Sequence, residues 1–163
     1  MNYIIDGHNL IPHLPGLSLR MPDDEQALIE VLMRFSHTGR KTLEVFFDGA
    51  PVGQAGKRTF GQVKAHFVSC ASSADQAIRT RLQRLRSESR NWVVVSSDRA
   101  VQAAAREAHA QVMRAEDFAE LLQASLLLEQ GREAQSPETP LSEEEVQAWL
   151  ELFMRRGNGS KRD

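Results

Sequence analysis

The chain has 163 residues, 41% of them apolar and 26% charged, which is near the globular average and excludes wholesale disorder or a long coiled coil. A net charge of −2 offers no global field for nucleic acid, so any RNA affinity must come from local basic patches. The single cysteine, Cys70, has no partner for a disulfide or a cysteine-based zinc site; it reads as a small buried hydrophobe in a reducing compartment. Met1 runs into a short apolar stretch with no basic leader region, and no apolar run approaches membrane-spanning length. The cytoplasm is the expected compartment, with no membrane partner.

Tyr3-Ile4-Ile5 followed by Asp6-Gly7 predicts a buried strand ending in a turn. Three prolines and a glycine between Leu10 and Pro22 forbid a regular helix there. Asp23 to His37 then places Ala27, Leu28, Val31, Leu32 and Phe35 at helical spacing. Leu43 to Phe47 is a second strand, closed by Asp48-Gly49, and Val63 to Val68 a weaker third. Between them, Gly49 to Gly61 reads as a glycine-rich basic loop.

A helix is predicted over Ser72 to Arg90, opened by a capping box of Ser72 and Asp75, with Ile78, Leu82 and Leu85 as its apolar stripe. Trp92 to Val95 is the clearest strand, continuous and rich in valine as expected where both faces of a parallel sheet are covered. A helix over Arg99 to His109, a short strand at Gln111 to Met113 and a helix over Ala115 to Gln130 complete the alternation. This order predicts an α/β domain over residues 1–130, with a mostly parallel central sheet and helices on both faces. Residues 131–140 read as a linker, and Ser142 with Glu145 opens a second capping box for an amphipathic helix over 141–156. Its apolar face, Val146, Trp149, Leu150 and Phe153, is expected to dock on the core or bind a partner; 157–163 is a tail.

Ligands of open parallel sheets bind beyond the carboxyl ends of the strands, near the point where strand order reverses. Asp6, Asp48 and Asp98 each end a strand, and Asp75 lies in the first turn of the helix after the third, so all four carboxylates are expected along one edge. Taken singly, each has a plain structural reading: a turn for Asp6 and Asp48, a capping acid for Asp75, a helix N-cap for Asp98. Taken together, one shared pocket is the more economical account. Clustered carboxylates repel unless protonated or bridged by a cation, and their oxygens suit Mg2+ or Mn2+. Such an ion supports metal-assisted hydrolysis of a phosphodiester.

Asp6-Gly7-His8-Asn9, Phe47-Asp48-Gly49, Ser73-Ala74-Asp75 and Ser96-Ser97-Asp98-Arg99, in this order and at this spacing over roughly residues 2 to 130, resemble the YacP-like group of NYN domains. The resemblance implies a PIN-like fold, a divalent-metal site and endoribonuclease activity, in some relatives on ribosome-bound messages. Carried over by position, it implies Asp6, Asp75 and Asp98 as the metal-site and catalytic acids, with Asn9 and Ser97 in support. The chain departs from the pattern at two places: Gln76 follows Asp75 where relatives commonly carry a second acid, and Ala100 stands where fuller sites place another.

Lys57 and Arg58 in the basic loop are candidates for gripping RNA phosphates beside the acids, against the plain reading of a solvated loop. Arg79, Arg86 and Arg90 fall on one side of the predicted 72–90 helix, Arg79 doubling as an ion-pair partner for Asp75, and Arg99 opens the next helix close to Asp98. His8 is expected to orient water, contact phosphate or pack. Two functions compete: a metal-dependent endoribonuclease, and an RNA- or ribosome-binding module whose acidic site is degenerate. An aspartyl phospho-transfer domain with Asp6 as nucleophile is weaker, because no second Asp follows two residues later. No nucleotide cofactor is expected, since the chain has neither a Walker loop nor a glycine fingerprint opening a helix.

Overall fold

Along β1 (Asn2–Asp6) side chains alternate between two buried layers, Tyr3 and Ile5 on one face and Ile4 on the other. The structure, a computed structural model, describes residues 1–20, 22–39, 41–51, 53–135, 147–148 and 150–152. After β1 come a four-residue helix α1 (Gly7–Leu10) and a 3₁₀ turn at Ile11–His13, then α2 (Asp24–Ser36), β2 (Thr42–Ala50), β3 (Gly56–Phe60) and β4 (Val63–Ser69). The chain continues through α3 (Ala74–Leu85), a 3₁₀ turn at Arg86–Asn91, β5 (Trp92–Val95), α4 (Arg99–Glu107), β6 (Gln111–Met113) and α5 (Ala115–Gln135).

The six strands form one sheet in the order β3-β4-β2-β1-β5-β6, parallel throughout except for β3, which runs antiparallel to β4. One core layer joins Tyr3, Ile5, Leu43, Val45, Phe47, Val93 and Val95 to α2 and α5; the other joins Ile4, Phe46, Trp92 and Val94 to α3 and α4. β5 is buried on both faces, which is why it reads as an unbroken apolar run. The expected α/β architecture with helices on both faces is therefore the one observed. Among the described residues no helix is long and apolar enough to cross a membrane.

Several local expectations are corrected. The basic loop between Gly49 and Gly61 contains β3, an exposed edge strand whose lysine, arginine and glycine hide the period of two. Charge on an edge strand guards its unpaired backbone, so such strands carry little apolar pattern. The helix expected over Ser72 to Arg90 starts at Ala74 and stops at Leu85, where Arg86 turns to φ 53. Its N-cap is Ser73, not Ser72: the Ser73 hydroxyl accepts from the Gln76 N–H at 3.1 Å. Cys70 is exposed rather than buried, because it follows the end of β4, outside the sheet.

α5 runs to Gln135, five residues past its expected end and into the expected linker. The rest of that linker, the second capping box, Val146, Trp149, Phe153 and the tail lie outside the described residues. Residues 147, 148 and 150–152 are helical, and Leu150 is buried in the α2 and α5 layer, which is the docked outcome for that position.

Candidate functional site

The parallel register sets Asp6 opposite Phe46 and Ile5 opposite Val95, so the ends of β1 and β5 lie side by side where the strand order reverses. Ser96 follows β5 immediately and is fully buried; its hydroxyl donates to Asp6 Oδ2 at 3.3 Å and accepts from the Asp98 N–H at 3.1 Å. One serine thus ties the Asp6 carboxylate to the backbone of the turn that carries Asp98. Asp98 caps α4 as expected, with Oδ1 accepting from the N–H groups of Ala100 at 2.8 Å and Val101 at 3.1 Å.

Asp6 precedes α1 but makes no side-chain cap bond to it, so the turn reading does not account for its carboxylate. The tight turn belongs to Gly7: a Cβ there would lie 2.3 Å from the Phe47 ring. The Asp6 carboxyl is pushed up to about 6, chiefly by burial and further by the charges of Asp48 and Asp98, against the lowering by the Ser96 hydrogen bond and by His8. Asp48 sits on a β-bulge between Phe47 and Ala50 and is exposed, nearer solvent than Asp6. His8 spans the entrance, one ring nitrogen 2.8 Å from Asp48 and the other 2.9 Å from Glu25 on α2. Burial lowers the His8 pKa, but the hydrogen bonds and charges of Asp48 and Glu25 outweigh it and hold the ring above its ordinary value.

Asn9 and Ser97 are coupled directly, the Asn9 Oδ1 accepting from the Ser97 N–H at 2.8 Å. The Ser97 hydroxyl accepts from the Ala115 N–H at 3.0 Å and donates a short hydrogen bond to Glu116. This bond holds the Glu116 carboxyl below its usual range. Asp75 lies at the same sheet edge in the first turn of α3, half-buried, and pairs with Arg79 at 3.3 Å. The three predicted acids are thus not drawn into one tight group. Among the described residues, no three His, Cys, Asp or Glu side chains gather closely enough to hold an ion. Asp48 and Asp98 are the acids whose charges act on Asp6.

Lys57 and Arg58 are separated by the strand that the loop contains. Lys57 stands opposite His66, His66 opposite Phe46 and Phe46 opposite Asp6, so Lys57 is level with Asp6 three strands away, about 14 Å at sheet spacing. It lines a cavity of about 330 Å³ with His66, Arg81 and Arg84 on the α3 face. Arg58 faces the other way, its guanidinium 5.0 Å above the Phe67 ring. Arg99 is exposed at the start of α4 and makes no ion pair among the described residues.

Sequence reasoning passed over Ser96, Glu25, Glu116 and a buried network on β2. An acid in the first turn of the helix after β6 is the signal that would have found Glu116, since it obeys the same edge rule as Asp75. Glu44 points into the α3 layer, 2.9 Å from Arg81 and 2.8 Å from His66. Burial raises its pKa, but those two partners hold it down to about 2.

The model of the YacP-like NYN domain matches residues 3–154. A crystal structure of a single-residue variant of Rae1 (YacP) from Bacillus subtilis aligns with a TM-score of 0.64 at 22% identity, covering 99% of this chain and 99% of that one. A second crystal structure of Rae1 (YacP) from Bacillus subtilis aligns with a TM-score of 0.64 at 19% identity, covering 99% and 95%. At such identity the likeness is one of fold. No curated protein matches.

Proposed function

Because this chain belongs to the YacP-like NYN domain family, a membership consistent with ribonuclease-type function, we propose that it is a divalent-metal-dependent endoribonuclease with its site at the β1/β5 crevice. The observation that carries the reading is the buried Ser96 hydroxyl at the switch point of the sheet, which donates to the Asp6 carboxylate and accepts the backbone N–H of Asp98. The raised pKa of Asp6 supports it, since a carboxylate that is buried, and to a lesser degree repelled by two neighbouring acids, is relieved by a cation.

The donors fit a hard ion that keeps most of its water and takes one or two carboxylates. Asp6 uses Oδ2 for Ser96 and Asp98 uses Oδ1 for α4, so each keeps an oxygen with no hydrogen bond among the described residues. Mg2+ or Mn2+ bound there would polarise a phosphodiester and make an attacking water more acidic. Ser96 orients the Asp6 carboxylate, Asn9 holds the β5–α4 turn through the Ser97 N–H, and His8 restrains Asp48. Lys57, level with Asp6, supplies a cation for a neighbouring phosphate.

The reading is tested with labelled RNA and purified protein in Mn2+ or Mg2+ against EDTA, with Asp6→Asn in parallel. Metal-dependent internal cleavage lost in the variant is expected; cleavage that persists in EDTA, or in the variant, would overturn it. The family resemblance extends the proposal to ribosome-bound messages, which adding ribosomes to the same assay addresses. A second reading, an RNA-binding module that does not cut, is favoured by the Asp75–Arg79 pair and by the lack of a closed three-acid group among the described residues. RNA retention without cleavage under any metal condition would select it.

A further inference from the structure

A cavity of about 520 Å³ opens between α3, the 3₁₀ turn after it and α4. Arg79, Arg86 and Arg90 line it, with Glu107 and His109 from the end of α4. Three guanidiniums thus share the cavity with one carboxylate. Arg79 is partly answered by Asp75 at 3.3 Å, whereas Arg86 and Arg90 make no ion pair among the described residues. In a chain of net charge −2, this surplus is a local device rather than a consequence of composition.

The C-terminal ends of α3 and α4 meet at this cavity, and their partial negative charge makes cations tolerable there. That explains why the arginines can stay together without a ligand, but not the backbone beneath them. Arg86 has φ 53 and ψ −125, and His109 has φ 65. Among the described residues they are the two non-glycine positions with positive φ, and both line this cavity. Glycine ends helices in such conformations with no steric cost. Here the strain is carried by side chains that reach the cavity, a pattern associated with function.

We propose that this cavity is a second RNA contact, gripping backbone phosphates of the strand whose reacting bond lies at Asp6; the inference rests on the RNA reading above. Arginine forks match phosphate oxygens two at a time, and the cavity offers three arginines and no lysine. α3 links the two places. Asp75 lies in its first turn, Arg79 one turn on, and Arg86 directly after its end, about 16 Å along the axis from Asp75. A single strand leaving the carboxyl edge of the sheet would follow this helix into the cavity.

The experiment measures binding of a fluorescent single-stranded RNA in EDTA, across a salt series, for the wild type, Arg86→Gly, Arg90→Ala and Arg34→Ala. Arg34 is an exposed cation on α2, in the opposite layer, and controls for loss of net charge. Arg86→Gly and Arg90→Ala are each expected to weaken binding roughly three- to tenfold and to flatten the salt slope by about 0.7. Arg86→Gly should at the same time raise the melting temperature, because glycine relieves the backbone, so its loss of affinity is not misfolding. Arg34→Ala should leave affinity and slope unchanged. Unchanged affinity in both cavity variants, or an equal loss in Arg34→Ala, would overturn the proposal. A wild type that cuts RNA while the cavity variants bind normally removes this site alone. One that binds through these arginines but never cuts removes the cleavage reading alone, and one that binds no RNA removes both.

Discussion

Asn9, at the end of the first motif, accepts the backbone N–H of Ser97, eighty-eight residues later, at 2.8 Å. The bond closes the crevice between β1 and β5 and fixes the turn from which Asp98 projects. Asn9→Ala leaves that half-buried N–H without its partner and is expected to cost about 1–2 kcal/mol. Cleavage should fall with it, because the spacing of Asp6 and Asp98 loosens. Chemical denaturation alongside the RNA assay checks both; a variant as stable as the wild type would mean that water replaces the amide without loss.

Asp6 carries a stability penalty that depends on pH. Its carboxyl sits at about 6 in the fold against an ordinary value of 3.8, so the native state holds the proton more tightly than the unfolded chain. The penalty is absent below the ordinary value, grows between the two and is complete above about 6. Asp6→Asn should therefore stabilise the metal-free protein by about 2 kcal/mol at neutral pH and leave it nearly unchanged near pH 4, while abolishing cleavage. Thermal melts in EDTA at the two pH values provide the comparison, and an equal gain at both would point to some cause other than charge.

Glu44 has the opposite sign. Its carboxyl lies at about 2 against an ordinary 4.5, so its pairing with Arg81 and His66 stabilises the fold fully above 4.5 and is lost as pH falls toward 2. Glu44→Gln should cost about 3 kcal/mol at neutral pH, and the gap to wild type should close in acid. Urea titrations from neutral pH downward would show the convergence; parallel curves would deny the buried pair its role.

The two polar residues that open α3 have separable parts. Ser73→Ala removes the hydroxyl that accepts the Gln76 N–H and should cost about 1 kcal/mol. Asp75→Asn breaks only a half-exposed ion pair and should change stability by less than about 0.5 kcal/mol. If Asp75 serves the metal site, the second variant lowers cleavage without lowering stability, which urea unfolding and the RNA assay resolve together.

On β3, neighbouring cations face opposite sides of the sheet. Lys57→Ala should weaken RNA binding and flatten its salt dependence, since Lys57 is level with Asp6 on the α3 face. Arg58→Ala should leave both close to wild type and cost packing against Phe67 instead. Equal losses of affinity would mean that both faces of the edge strand meet RNA.

The amino-acid sequence alone determined the strands of the parallel sheet and the placing of Asp6, Asp48 and Asp98 along one edge. Apolar runs such as Trp92 to Val95 are local signals, and parallel strands bring their carboxyl ends together whatever lies between them. Residues answered by partners far along the chain were decided only by the tertiary structure. Ser96, not its neighbour Ser97, meets Asp6, because the register of β5 against β1 selects which hydroxyl faces the crevice. Glu44 is buried because Arg81 and His66 wait on other elements, and Lys57 and Arg58 part company because β4 pairs with a segment that reads as loop. Arg86 ends α3 in a polar run, Arg86 to Asn91, that has neither the proline nor the glycine that would mark a helix end along the chain. In each case the deciding energy is a hydrogen bond, a charge or a backbone turn made across the fold, and a hydrophobic pattern read along the chain carries no trace of it.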